Sequence, residues 1–126
     1  MNITDMVHIL VIDDDPVMRS LLKSFLSLRK FKVDCVMTES DAIRVLLQNN
    51  VNIVITDLKI PGIDSVQLIR SITSTKPGVK VITMSGDTSF DRLPRDIQTT
   101  TLFIHKPFKL QEIEKLISTL TGTANA

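Results

Sequence analysis

Five short apolar runs, each halted by polar residues or a turn, alternate with stretches of helical periodicity, and this alternation restricts the fold more than any other feature. His8-Ile9-Leu10-Val11-Ile12 stops at Asp13-Asp14-Asp15. Residues 51–56 stop at Asp57, residues 79–84 at Ser85-Gly86, and Leu102-Phe103-Ile104-His105 at Lys106-Pro107. Residues 31–37 form the remaining run, with Val33 and Cys35 on one face. Short β-branched runs with little polar alternation suit strands covered on both faces.

Between them the period changes. From Pro16, Val17, Leu21, Phe25 and Leu28 recur at three or four residues, with Met18 and Leu22 beside them. That spacing predicts an amphipathic helix with Asp15 as N-cap and Pro16 at its first position. Residues 40–48 predict a second helix, with Ala42, Val45 and Leu46 inward and Asn49-Asn50 ending it. Pro61-Gly62 predicts a turn and Asp64 a cap, and Val66, Ile69 and Ile72 mark a third helix that Pro77-Gly78 breaks. Leu110, Ile113, Ile117 and Leu120 mark a closing helix. Residues 87–101 are the weak stretch: with Pro94, few apolar residues and Thr99-Thr100-Thr101, any fourth helix is short and begins near Pro94. Residues 122–126 carry no pattern and are expected to form a loose tail, leaving residues 1–121 as one domain.

Composition narrows the function. Fifteen basic and fourteen acidic residues give a formal net charge of +1, which argues against a nucleic-acid surface. A single cysteine, Cys35, cannot form an internal disulfide. No apolar run reaches the roughly 18 residues of a membrane span, and the first residues lack a secretory pattern, so a cytoplasmic location is expected.

A βαβ rhythm implies one parallel sheet with right-handed crossovers and helices on both faces. Five strands suit a doubly wound α/β fold with the flavodoxin-like order 2-1-3-4-5 and a ligand beyond the carboxyl ends of strands one and three. On that fold Asp13, Asp14 and Asp15, then Asp57, Ser85 and Lys106, converge on one rim. Clustered carboxylates repel one another unless a cation joins them, and few oxygen ligands plus waters suit Mg²⁺. Lysine supplies a point charge for a phosphoryl oxygen and serine a donor, so the site reads as phosphoryl-transfer chemistry. Neither G-x-x-x-x-G-K-[ST] nor G-x-G-x-x-G occurs, so the phosphoryl group arrives from elsewhere and a carboxylate accepts it.

Val11-Ile12-Asp13-Asp14-Asp15, Asp57-Leu58-Lys59-Ile60-Pro61-Gly62, Thr83-Met84-Ser85-Gly86 and Lys106-Pro107-Phe108, in this order and spacing, resemble the receiver domain of two-component response regulators over nearly the whole chain. The resemblance implies that Asp57 takes a phosphoryl group from the phosphohistidine of a sensor kinase or a phosphorelay protein. It implies Asp14 as direct Mg²⁺ ligand, Asp13 as ligand through water, and the Lys59 carbonyl as a further one. Ser85 then resembles the switch hydroxyl, Lys106 the lysine that grips the phosphoryl group, and Phe103 the aromatic that swings inward. It implies a cis bond at Lys106-Pro107, and an output protein or domain as second partner. The chain departs from the pattern at Ser65, where glycine is usual, at Ser85, where threonine is commoner, and in residues 87–101, which lack the alanine-rich fourth helix of the output face.

Two other readings stand beside this one. A degenerate receiver would bind its partner without phosphorylation. Asp13-x-Asp15-x-Val17 also resembles the opening motif of haloacid-dehalogenase-type phosphatases, with Asp13 as nucleophile; after Lys106 only Glu112 and Glu114 could then supply acidic metal ligands. His8 and His105, within strands, read as structural, Cys35 as a small buried hydrophobe, and Arg92 and Arg95 as solvated surface.

Overall fold

The five runs become five parallel strands: β1 (His8–Ile12), β2 (Lys32–Val36), β3 (Ile53–Asp57), β4 (Lys80–Ser85) and β5 (Leu102–His105). They form one sheet in the order β2-β1-β3-β4-β5. The computed structural model describes residues 7–122; the residues expected to form the tail beyond Gly122 lie outside them. Helices α1 (Pro16–Ser27), α2 (Glu39–Gln48), α3 (Ser65–Thr75), α4 (Arg95–Thr100) and α5 (Leu110–Thr121) connect or follow the strands, with a 3₁₀ turn, Ser89–Arg92, ahead of α4.

Strand periodicity divides the core in two. On one face, Ile9, Val11, Ile53, Ile55, Ile82 and Ile104 pack under Leu22 and Leu26 of α1 and Ile113 and Ile117 of α5. On the other, Leu10, Ile12, Val54 and Val81 pack under Ala42 and Leu46 of α2 and Leu68 and Ile72 of α3. Successive side chains point to opposite faces, so every residue of β1 and β3 is buried. Register follows: Val11 lies opposite Ile55, and Ile55 opposite Ile82. A third cluster, Leu58, Ile69, Leu93 and Ile97, anchors α4 at the end of the sheet where β3 and β4 finish.

Helix starts follow their caps. The Asp15 carboxylate accepts from Val17 N at 2.9 Å, Thr38 Oγ1 from Asp41 N at 3.1 Å, and Asp64 from Val66 N at 2.9 Å and Gln67 N at 3.1 Å. Each such cap is worth about 1 kcal/mol. α4 has no side-chain cap and spans six residues from Pro94, short as its sequence requires.

The inward face of α1 differs from the expected one. Val17, Leu21 and Leu28 are 64%, 47% and 79% exposed, while Leu22 and Leu26 are fully buried and Met18 and Phe25 pack beside them. α1 is apolar on more than one side, so two stripes fit a period of 3.6 and spacing alone does not separate them. Packing against the sheet and α5 selects Leu22 and Leu26, and near this end of α1 Arg29 lies 3.6 Å over the Phe25 ring and donates from Nε to Glu114 of α5 at 2.7 Å.

His8 is buried, with Nε2 2.5 Å from Asp34 of β2, which gives it a structural partner. His105 lies edge-on to Phe103. Cys35 is half-buried and burial pushes its thiol pKa up, the behaviour of a small hydrophobe.

Candidate functional site

The carboxyl ends of β1 and β3 bring three carboxylates together. One oxygen each from Asp13, Asp14 and Asp57 lies within 4.8 Å of the others. Asp13 is wholly buried, Asp57 nearly so, and Asp14 is exposed. Asp15, the third of the run, turns away and caps α1.

Each acid is held differently. Asp13 Oδ1 accepts the Asp15 N–H at 3.0 Å, whereas Oδ2 is buried without a hydrogen bond. Burial raises the Asp13 pKa, the Asp57 and Asp14 charges add to the rise, and the Asp15 N–H and Lys106 oppose it. Asp57 Oδ1 accepts the Lys59 backbone N–H at 2.8 Å, and Oδ2 accepts from Lys106 Nζ at 2.6 Å. The same ammonium is 3.6 Å from Asp13 Oδ2, an ion pair beyond hydrogen-bonding reach. Burial disfavours the charge on Lys106, but its hydrogen bond to Asp57 and the Asp13 and Asp57 charges outweigh that and raise its pKa.

Lys106 arrives from β5. Its backbone N–H donates to Ser85 O at 2.8 Å, which extends the β4–β5 ladder past its last pair and fixes the side chain over Asp57. The following peptide, Lys106-Pro107, is cis, as the resemblance implies. Beside Asp57 the chain turns through Pro61 and Gly62, whose φ of 80° suits glycine. Ser65, the substituted glycine position, donates its hydroxyl to Leu58 O at 2.6 Å and ties this loop to α3.

Three carboxylates against one ammonium leave two net negative charges and one orphaned buried oxygen, a donor set that fits a hard divalent cation. Lys59 presents its backbone N–H, not its carbonyl, to Asp57, and its ammonium pairs with Asp87 at 2.6 Å. Ser85 is buried and donates to Asp87 Oδ1 at 2.7 Å. Phe103 lies apart from the acids, stacked on Phe90 with ring centroids 4.8 Å apart.

The response regulator receiver domain family matches residues 9–118. The chain belongs to that family. This receiver domain is 36% identical over 109 residues to regulatory protein VirG of Rhizobium rhizogenes, an alignment covering 85% of the chain and 45% of VirG. It is 32% identical over 101 residues to transcriptional regulatory protein GlrR of Escherichia coli, covering 79% of the chain and 23% of GlrR. The chain thus spans less than half the length of these relatives. A response regulator receiver domain protein from Clostridium thermocellum shares its fold, with a TM-score of 0.82 at 24% identity over 92% of this chain and 94% of that one. Chemotaxis response regulator CheY4 of Vibrio cholerae does so with a TM-score of 0.79 at 16% identity over 91% and 98%. Receiver domains are phosphoacceptor signalling domains, and that coarse role is what membership gives this chain. No described helix is long and apolar enough to cross a membrane.

Sequence reasoning missed Asp87 and Phe90. Asp87 was legible in principle: Asp-x-Ser after Ser85-Gly86 is an Asx-turn signature, and Ser89 N does donate to Asp87 Oδ1 at 2.8 Å. Phe90 sits in a polar stretch with no periodicity to point it anywhere.

Proposed function

We propose that Asp57 accepts a phosphoryl group from the phosphohistidine of a sensor kinase or histidine phosphotransfer protein. The carrying observation is that its carboxylate is gripped by Lys106 Nζ at 2.6 Å and the Lys59 N–H at 2.8 Å while two further acids crowd it. In the transfer a carboxylate oxygen of Asp57 forms a bond to phosphorus as the phosphorus–nitrogen bond to the donor imidazole breaks. The imidazole keeps the bonding electron pair and takes up a proton. Lys106, at 2.6 Å from Oδ2, is positioned to balance charge that builds on the phosphoryl oxygens.

Asp13, Asp14, Asp57 and the Lys59 carbonyl would hold Mg²⁺. Bound there, Mg²⁺ supplies charge neutralisation for a phosphoryl group whose own charge of about −2 would otherwise meet three carboxylates. Ser85 acts as the hydroxyl switch and Phe103 as the aromatic that reads it, shifting a population at the face built from α4, β5 and α5. The unit, residues 1–121, works in the cytoplasm without contacting nucleic acid or membrane itself, passes its state to an output protein or domain, and has no turnover beyond loss of its own phosphoryl group.

Occupied side chains disfavour the phosphatase reading. Asp15 caps α1, Glu112 accepts from Lys109 N at 2.9 Å, and Glu114 pairs with Arg29 at 2.7 Å. Incubation with acetyl phosphate and Mg²⁺ should add one base-labile phosphoryl group by intact mass, and Asp57→Ala should abolish it. Label that persists in Asp57→Ala and disappears in Asp13→Ala would overturn the assignment.

A further inference from the structure

The single hydroxyl hydrogen of Ser85 is already committed. Its Oγ donates to Asp87 Oδ1 at 2.7 Å and accepts the Asp87 N–H at 3.1 Å. A hydroxyl has one hydrogen to donate, so Ser85 cannot serve an oxygen on Asp57 until Asp87 lets it go. The same carboxylate accepts from Ser89 N at 2.8 Å and Ser89 Oγ at 2.5 Å. Its other oxygen draws off the Lys59 ammonium at 2.6 Å, although the Lys59 backbone N–H already touches Asp57.

We propose that Asp87 is a latch: a positioning residue that withholds the Ser85 hydroxyl and the Lys59 ammonium from Asp57, and so sets how tightly the pocket takes a phosphoryl group. This rests on Asp57 being the acceptor. Hydrogen bonds from Lys59, then from Ser89 and Ser85, hold the Asp87 carboxyl far below the usual carboxylate range, so the latch stays charged at physiological pH.

The two grips differ in strength. Lys59 and Asp87 have side chains 65% and 40% exposed, and solvent screens such a pair. Ser85 is buried, and its hydroxyl-to-carboxylate bond is charge-assisted and less exposed than the Lys59 pair. Most of the effect should therefore run through Ser85. The far end of the latch reaches the output side. Ser89, bound twice to Asp87, opens the 3₁₀ turn whose next residue, Phe90, stacks on Phe103 at 4.8 Å. Releasing Asp87 frees the turn that presses Phe90 onto Phe103.

Affinity for beryllofluoride with Mg²⁺, measured by titration calorimetry, tests this. Asp87→Ala should bind about tenfold tighter than the parent, equivalent to about 1.4 kcal/mol, with Asp87→Asn between them. Asp91→Asn, which removes a like charge from the adjacent 3₁₀ turn outside this network, should stay within about twofold because exposed charges are screened. In a Ser85→Ala background most of the gain from Asp87→Ala should vanish. A merely structural Asp87 would give the opposite sign, since a disordered loop binds more weakly. Binding in Asp87→Ala that is equal to or weaker than the parent overturns the latch, as does an undiminished gain in Ser85→Ala. Acetyl phosphate labelling of the parent separates the two failures. A parent that takes no phosphoryl group at Asp57 removes the acceptor assignment and the latch with it. A labelled parent with no tightening in Asp87→Ala removes the latch alone.

Discussion

Asp13→Asn should stabilise the cation-free protein, although it deletes half of an ion pair. At an effective dielectric of about 20, Lys106 at 3.6 Å attracts the Asp13 charge by about 4.6 kcal/mol. Asp57, within 4.8 Å, repels it by about 3.5 kcal/mol or more at the same dielectric. Exposed Asp14 adds about 1 kcal/mol of repulsion at a dielectric nearer that of water. The charge terms nearly cancel, so burial decides: a wholly buried carboxylate loses more hydration than a neutral amide, although the amide nitrogen that replaces Oδ2 is itself a buried donor and gives part of this back. Asparagine keeps the oxygen that caps the Asp15 N–H and loses the charge. A gain of about 1 kcal/mol, or about 4 °C in melting temperature for a domain of this size, is expected at neutral pH. The sign with pH follows from the raised Asp13 pKa. Its favourable contribution is complete below the ordinary value of 3.8 and is lost as pH rises through the folded value, so the advantage of asparagine shrinks on acidification. Mg²⁺ at about one hundred times its Kd would stabilise the parent by about 2.7 kcal/mol and so reverse the order of the two proteins. Far-UV circular dichroism with chelator and with Mg²⁺ is the assay, because the chain has no Trp or Tyr for intrinsic fluorescence. Asp13→Asn melting below the parent in chelator at neutral pH would refute the reasoning.

The two stripes of α1 can be separated in the same way: Leu26→Ala should cost about 2 to 5 kcal/mol by urea unfolding, and Leu28→Ser less than about 0.5 kcal/mol. Equal costs would restore the other stripe as the core face. Hydrogen exchange should find amides of residues 87–101 opening more readily than those of α1 and gaining protection with beryllofluoride and Mg²⁺, with Ile97, 3% exposed in a six-residue helix, as the slowest of them. Protection equal to that of α1 before activation, or unchanged after it, would contradict this.

What the sequence made legible was whatever depends on residues next to one another along the chain. Strand ends announced themselves because the apolar runs give way at Asp13, Asp57, Ser85 and Lys106, of which Asp57 and Ser85 are themselves the last residues of β3 and β4. Asp15-Pro16 and Asp64 marked helix starts because one residue both caps and is seen to cap. The parallel order then followed from alternation, and with it the gathering of Asp13, Asp14, Asp57 and Lys106. The rotation of α1 was not legible, since the choice between Leu21 and Leu22 is made by packing against the sheet and against Ile113 and Ile117 of α5, many residues away. The Ser85–Asp87–Lys59 network was hidden for the same reason. Lys59 leaves β3 and Asp87 leaves β4, and only adjacent strand ends bring them to 2.6 Å.

The place of Lys106 has a mechanical consequence. It follows β5, a four-residue strand at the margin of the sheet, joined on one side only to β4. A strand so short carries few backbone hydrogen bonds and would fray easily on its own. Its last residue, however, leads straight into an ammonium that reaches across β4 to the end of β3 and grips Asp57 at 2.6 Å. Peeling β5 away would strand three acids without their countercharge. The shortest strand is thus riveted to the middle of the sheet by one charge, and any group on Asp57 that competes for that ammonium also changes how firmly the edge is held.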